Sequence, residues 1–449
     1  MQKLPASEER NKQIALKTNV ISKYLPEPVK GLEFIKKLSQ HMASDELMLK
    51  LMEKICEPGV SCKESLDATN LILKKLGSPI MTNLYYNTVK QLLERISSVM
   101  IDRDAVKALV DVVAEALEGG DVITELGLDP DTAGEKGLRL LFVLSFVFPS
   151  NYVYKDIIKS LINMFKHEKN FVAPIVLNTL SFIGKYKPIN ELFPELHEIL
   201  KKICIKFVML GTPKQAKQAI KCLHLNTTEN IEETFSQVLE GIKENLNGDK
   251  NKNYLTAIVA LGHLAFYLPD TFPVQIKNLV SRKIVKELVM KDYTPARGGT
   301  EEWSSVEDLC LETQCKLEGL KMMARWLLGL KTDEVTAQKT FRMLNAIIEN
   351  GGDLLEEGKP NPAEKAWLRL GAGCAMLKIC EQKGVGDQFT AAQFYNLSRL
   401  AQDKVFQVRE KFIQKLHRGL NRYIPNKCLP LDFMGIYALA GWYKYPHFF

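Results

Sequence analysis

The segment Asp403-Lys404-Val405-Phe406-Gln407-Val408-Arg409, running on as EKFIQKLHRGL to Leu420, decides how the chain folds. An acidic residue opens a helix, Val408 turns inward and an arginine follows it. Phe412, Leu416 and Leu420 then recur every four residues, which on a 3.6-residue turn is one face. A helix apolar along one stripe cannot bury that stripe alone, so it needs neighbours of the same kind.

The rest of the chain supplies them. Leu47, Leu51 and Ile55 repeat every four residues, and Val89, Leu92, Leu93 and Ile96 fit i, i+3, i+4, i+7, as do Ile157, Ile158, Leu161, Ile162 and Phe165. No series of alternating runs closed by Asn-Gly or Asp-Gly turns is visible, so strands are not expected. The pattern reads as roughly eighteen helical segments, mostly about 12 to 20 residues long, separated by short polar, Gly or Pro breaks. Two helix starts are legible at residue level: Thr212-Pro213-Lys214-Gln215 and Asn361-Pro362-Ala363-Glu364. Each sets a capping side chain before Pro at N1 and a Gln or Glu at N3, a capping box. Gly77-Ser78-Pro79, Gly119-Gly120, Gly298-Gly299 and Gly351-Gly352 are expected helix ends. Helix pairs arrive about every 35 to 50 residues, the period of HEAT or armadillo arrays. The expected fold is therefore all-α, a HEAT/armadillo-type solenoid over residues 1–440, followed by an atypical aromatic tail, 441–449. A chain of 449 residues without strands seldom closes around one compact core.

Composition narrows the class. Hydrophobic residues make up 46% and charged residues 25%, so the chain is neither disordered nor collagen-like. The net charge of +7 is too mild to imply nucleic-acid binding by itself. Leu138 to Phe148 is the longest apolar run, broken by Arg139 and Ser145, and falls short of the about 18 residues of a membrane span. Lys3, Glu8, Glu9 and Arg10 occupy the place of a secretory h-region. Nine scattered cysteines point to a reducing compartment, cytosol or nucleus.

Catalytic patterns are missing. No Walker-type phosphate loop, dinucleotide fingerprint, H-E-x-x-H or G-x-S-x-G occurs. Gly371-Ala372-Gly373 lies within a helical pattern, Leu368 to Ile379, and reads as a close-packing site. Cys56 and Cys62 straddle Pro58-Gly59, but zinc needs further ligands nearby. Cys222 and His224, two apart on a helix, point in different directions. His263 sits in an apolar helix and reads as a satisfied core histidine. The least regular stretch, Tyr293 to Asp308, reads as a long inter-helix loop of the kind that carries function.

Basic residues are better organised. On the helix expected from Asp403 to Tyr423, Lys404, Lys411, Lys415, Arg418 and Arg422 share a face opposite Phe412 and Leu416. Lys214, Lys217 and Lys221 share a face of the helix after Pro213, beside Gln218. Further basic pairs are Lys321 with Arg325 and Lys365 with Arg369. A lone lysine stripe is ordinarily a solvated face, but stacked repeats align such stripes into one surface for an acidic peptide or polyphosphate. Few aromatics interleave with these stripes, so direct sequence-specific DNA reading is not expected.

Several long segments carry a family resemblance: residues 211–224, 261–272, 324–331, 368–379, 407–420 and 429–439, in matching order and spacing. They resemble the cohesin-associated "precocious dissociation of sisters" family of sister chromatid cohesion proteins, over roughly Leu4 to Ala440. Cys62-Lys63, Lys74 to Gly77 and Leu92 to Ile96 resemble it less specifically. The resemblance implies a hooked HEAT-repeat solenoid without catalytic activity, acting in the nucleus on chromatin. It implies binding of the cohesin kleisin subunit, with the wings-apart-like release factor, sororin and the cohesion-establishing acetyltransferase as further partners. It also implies inositol hexakisphosphate as a structural ligand. Family members are much longer, so the chain is expected to be an internal portion, and the resemblance places the wings-apart-like docking surface in the family's N-terminal part. Its tail, 441–449, lacks the polar face of a terminal repeat.

The residues expected to meet the kleisin are Lys214, Lys217 and Lys221 together with Lys411, Lys415, Arg418 and Arg422. An importin-like transport adaptor is the competing reading, but it calls for an acidic inner surface. An enzyme centred on Trp303 and its loop would need a nucleophile–base or metal constellation.

Overall fold

A computed structural model describes residues 62–75, 90, 103–120, 129–248, 250, 252–330, 333–422 and 428–440. Among them there are helices and no strands. The expected repeats at Leu47–Ile55 and Val89–Ile96, the Gly77-Ser78-Pro79 break, Cys56 and the tail 441–449 lie outside the described residues. The chain divides into two compact units, Met1–His167 and Glu168–Phe449.

The first unit holds α1 (Cys62–Lys75), α2 (Arg103–Leu117), α3 (Pro130–Val147) and α4 (Lys155–Asn163). Asp129 caps α3 by accepting from the Thr132 amide at 2.9 Å, and Pro130 takes the first turn, where its missing N–H costs nothing. The apolar run at Leu138 falls inside α3, with Leu138 and Leu141 buried. Tyr152, fully buried, donates its hydroxyl to the Leu141 carbonyl at 2.8 Å. Ile157, Ile158, Leu161 and Ile162 form the buried face of α4, while Phe165 falls in the 3₁₀ turn after it.

The second unit is a double row. Its helices are α5 (Val172–Tyr186), α6 (Pro194–Leu210), α7 (Pro213–Asn226), α8 (Ile231–Asn247), α9 (Lys252–Tyr267) and α10 (Pro273–Leu279). A π-helical stretch, Val280–Val289, prolongs α10. Then come α11 (Leu311–Leu330), α12 (Glu334–Glu349), α13 (Pro362–Cys380), α14 (Ala391–Ser398), α15 (Phe406–Leu420) and α16 (Met434–Ala440). The odd helices α5, α7, α9, α11, α13 and α15 pack each on the next, side by side. The even helices line the back of this row: α6 packs on α7 and α8, α8 on α9, and α12 on α13 and α14. This is the solenoid-like repeat stacking that the helix spacing predicts. The interval between α9 and α11 is the widest, because the irregular stretch around Tyr293 to Asp308 intervenes. Gly298-Gly299 therefore lies within that loop rather than at a helix end, whereas Gly119 (φ +85°) and Gly351-Gly352 (φ +66° and +98°) do follow helix ends.

Both sequence-read capping boxes are present. Gln215 N donates to Thr212 Oγ1 (3.3 Å) and Thr212 N to Gln215 Oε1 (2.7 Å). Asn361 and Glu364 exchange the same pair, each at 2.9 Å. Thr390 and Gln393 form a third box, at the start of α14.

The interior odd helices, α7 to α13, are flanked on both sides, so little of them is left to solvent. In α9 every residue from Thr256 to Ala265 is buried. Such a helix is apolar nearly all round and loses the amphipathic signature of a surface helix. Close approach depends on small residues. A Cβ on Gly329 of α11 would sit 2.5 Å from the backbone oxygen of Ala265 in α9. Gly371 faces Leu317 and Leu320 of α11, and Gly373 faces Leu400 and Phe412, which bears out the close-packing reading of Gly371-Ala372-Gly373.

Polar clamps tie successive pairs. Asn226, fully buried, donates to the carbonyls of Cys222 (2.8 Å) and Leu180 (3.1 Å) and accepts from the Ile189 amide (3.2 Å). It thus joins α7 to α5 and to the turn after α5. Arg369 of α13 grips Asp403 through two hydrogen bonds, at 2.9 and 3.0 Å, and donates to the Gly351 carbonyl at 2.6 Å. Asp403 also accepts from the Val405 amide at 2.9 Å, and Arg409 closes on the Asp403 carbonyl. The acidic residue and arginine of the opening motif therefore fix the turn into α15.

Because the Ala265 oxygen is backbone and cannot swing aside, Gly329→Ala should lower unfolding free energy by about 1–3 kcal/mol in urea titration. Gly298→Ala, whose added Cβ meets nothing within 4 Å, should be close to neutral.

Candidate partner-binding face of the odd row

The lysines of α7 stand on the side away from its buried stripe of Ala216, Ala219, Ile220 and Leu223. Lys214 and Lys217 are exposed. Lys221 is half-buried: its ammonium donates to Asn178 Oδ1 of α5 at 2.6 Å and lies 4.7 Å from the Phe182 ring centroid. Burial, then nearby Lys217 and Lys185, lower its pKa, the effect of Cys222 running the other way.

The basic residues of α15 occupy one flank, but not as the sequence pattern predicts. The helix runs Phe406–Leu420, so Lys404 and Arg422 lie beyond its ends. Lys404 pairs with Glu302 at 3.2 Å, and Arg422 pairs with buried Glu381 beside Lys378. The stripe sits beside the buried Phe412 and Leu416, toward α13, rather than opposite them. Lys411 lies 5.9 and 5.7 Å from the centroids of Trp303 and Trp367. Lys415 and Lys321 both act on Cys374 of α13, yet burial dominates and raises that thiol to about 11. Arg418 is exposed.

The two sequence-read clusters thus belong to one row, and residues from α11 lie between them. Glu318 receives Lys321 at 2.6 Å and Arg325 at 3.9 Å. Arg325 in turn acts on Lys217 of α7 and on His263 and Tyr267 of α9. Burial, then Arg325, lower the Lys217 pKa; burial also lowers that of Arg325. Tyr267 stacks on His224 with centroids 5.1 Å apart, and His263 lies 6.2 Å from the same ring.

His263 corrects an expectation. It is buried in α9, but neither ring nitrogen has a hydrogen-bond partner among the described residues. It is a core histidine without satisfaction, its neighbours on α9 being apolar and its front neighbours cations and a phenol ring. Arg325 Nη1, His224 Nδ1 and Gln218 Oε1 are likewise shielded and without a hydrogen bond. Among the described residues no group of His, Cys, Asp and Glu is arranged to hold a metal ion. No described helix is long and apolar enough to cross a membrane.

Comparison with known proteins decides the family. The chain matches the family described as "Sister chromatid cohesion protein PDS5 protein" over residues 2–448. The chain belongs to the PDS5 family. It is 34% identical over 441 residues to PDS5 homolog B-B of Xenopus laevis, covering 98% of this chain and 30% of that protein. Against PDS5 homolog B of Mus musculus the identity is 35% over 441 residues, with the same shares. Against PDS5 homolog A of Homo sapiens it is 34% over 443 residues, 98% of this chain and 33% of that protein. The chain therefore spans about a third of the length of these relatives.

Other candidates in this PDS5-family chain prove to be internal fasteners. Glu312, buried, accepts from the Tyr293 and Thr294 amides at 3.3 and 3.0 Å, which anchors the irregular loop to α11. Arg297 donates to Glu364 at 2.7 Å, and Trp303 stacks on Trp367 with centroids 4.4 Å apart. Trp367 Nε1 also donates to the Ser304 carbonyl at 3.0 Å. Lys365 pairs with Asp353 and Arg369 with Asp403, so neither is free for a partner.

Burial, then Arg325 and Lys217, hold the His263 imidazole neutral down to about pH 3, against 6.5 unperturbed. The unfolded chain protonates near 6.5, so this contribution to stability is complete above that pH and declines as pH falls through the window. Between pH 7.5 and 4.5, wild type should lose up to about 3 kcal/mol more than His263→Leu, read as paired urea titrations at each pH.

Proposed function

We propose that the chain is a non-enzymatic scaffold of the cohesin complex that binds the kleisin subunit and modulates maintenance and release of cohesin on chromatin. Membership of a family named for sister chromatid cohesion supports this, together with one observation: the lysines of α7 and α15 stand on a single row of stacked helices. An extended or helical kleisin segment would lie along that row. Its acidic groups would meet Lys214, Lys217 and Lys221 at one end and Lys411, Lys415, Arg418 and Arg422 at the other, and apolar anchors would enter the seams between helices. Arg422 already serves Glu381, so it is the weakest of these contacts.

The setting would be nuclear and chromatin-associated through cohesin rather than through direct sequence reading of DNA. The wings-apart-like release factor and sororin are the further partners of this proposal. Inositol hexakisphosphate belongs to it as a structural ligand: on α7 and α11 cations outnumber carboxylates, and a polyphosphate would supply the missing negative charge across the row. An importin-like adaptor for basic cargo would need carboxylates where this row carries lysines.

Charge reversal tests the reading. The triple variants Lys214→Glu/Lys217→Glu/Lys221→Glu and Lys411→Glu/Lys415→Glu/Arg418→Glu should each weaken capture of purified kleisin about tenfold or more, measured by titration at fixed salt. Unchanged affinity in one variant would remove that cluster, and retention of an importin cargo instead of kleisin would replace the proposal.

A further inference from the structure

At the crossing of α7, α9 and α11, positive charge is left without a counterpart. Lys217, Lys321 and Arg325 gather around one carboxylate, Glu318, which already holds Lys321 at 2.6 Å. Arg325 reaches that carboxylate only at 3.9 Å, beyond hydrogen-bond range, and its Nη1 is shielded and unbonded. Two positive charges therefore remain over. Beneath them His263, 8% exposed, offers two ring nitrogens that bond to nothing among the described residues. Buried polar groups are ordinarily paired, and a guanidinium half-removed from water is costly unless an anion meets it.

The front of this cluster is open. Arg325 and Glu318 keep about a quarter and a fifth of their side-chain surface exposed, at 24% and 21%, and Lys321 keeps 52%. Lys217 is exposed on the α7 side. A carboxylate arriving here would cancel one of the two surplus charges. A phosphomonoester dianion would cancel both, and its oxygens can take a guanidinium and an ammonium together.

We propose that Lys217, Lys321 and Arg325 receive a phosphorylated serine or threonine of the acidic segment that lies along the odd row. This rests on the peptide-capture reading above and adds to it a phosphorylation-dependent contact at one named place. Glu318 holds Lys321 in position, and the exposed Lys214, about one turn from Lys217, takes the acidic residue next to the phosphoryl group. The site is small: its surplus charge matches one phosphoryl group.

The test uses the full chain and two probes. The first is a short glutamate-rich peptide with one phosphoserine, followed by ³¹P NMR, beside its serine counterpart, inorganic phosphate and inositol hexakisphosphate. The phosphopeptide resonance should shift on adding wild type and stay unmoved with Arg325→Gln or Lys217→Gln. The phosphopeptide should bind at least about tenfold more tightly than the serine peptide, the difference falling below about twofold in either variant. Arg325→Gln removes an uncompensated cation, so it should fold as stably as wild type or more so, which separates lost binding from lost structure. Equal binding of the two peptides, a shift that survives in both variants, or binding of inositol hexakisphosphate with no response from the phosphopeptide would overturn the proposal. The second probe is kleisin, with and without enzymatic phosphorylation. Failure of both forms to bind while the phosphopeptide still binds would defeat the kleisin reading and leave this site standing.

Discussion

Everything in the second unit depends on one constraint: an odd-row helix must be covered along both flanks at once. Gly329 against the Ala265 carbonyl, and Gly371 and Gly373 against leucines of neighbouring elements, set how near these helices come. At that spacing the flanks are dry, and burying them supplies the main stabilisation. The clamps at Asn226 and at Arg369–Asp403 add little apolar area. They satisfy backbone groups at turns and so fix which neighbour each helix meets.

The same constraint shapes the functional face. A helix covered on both flanks and behind leaves one narrow strip for polar side chains. Strips from α7, α9 and α11 lie side by side, so Lys217, His263 and Arg325 are drawn together from three helices. Their mutual repulsion and desolvation follow from the packing rather than from any local sequence preference. Where a carboxylate falls within reach and is fully engaged, as Glu381 is by Lys378 and Arg422, the charge is largely offset internally. Where it does not, charge is left for a ligand.

Local chemistry was legible before any coordinates. Thr212 and Gln215, or Asn361 and Glu364, form capping boxes because both partners lie three residues apart, within one turn. The motif from Asp403 to Arg409 likewise announced a repeat helix, and the lysine faces of α7 and α15 followed from helical spacing. The sequence pattern overran α15 at both ends, since a charged residue in helical register does not show where the backbone leaves the helix. The apolar residues flanking His263 point to a satisfied core histidine, whereas the cations that face it, Arg325 and Lys217, come from other helices. The approach of Lys185 to Lys221 and of Arg325 to Lys217 leaves no signal in the local sequence, because the partners lie in different helices.

The sequence by itself determined that the chain is helical, where several helices begin, and that lysines gather on single faces, because these depend on residues a few positions apart. Only the tertiary structure decided which faces share a row, which arginines are spent on internal aspartates, and which cations lack a counter-ion. Those outcomes depend on residues far apart in the sequence, as with Arg369 and Asp403 or Arg422 and Glu381, brought together by the burial of helix flanks.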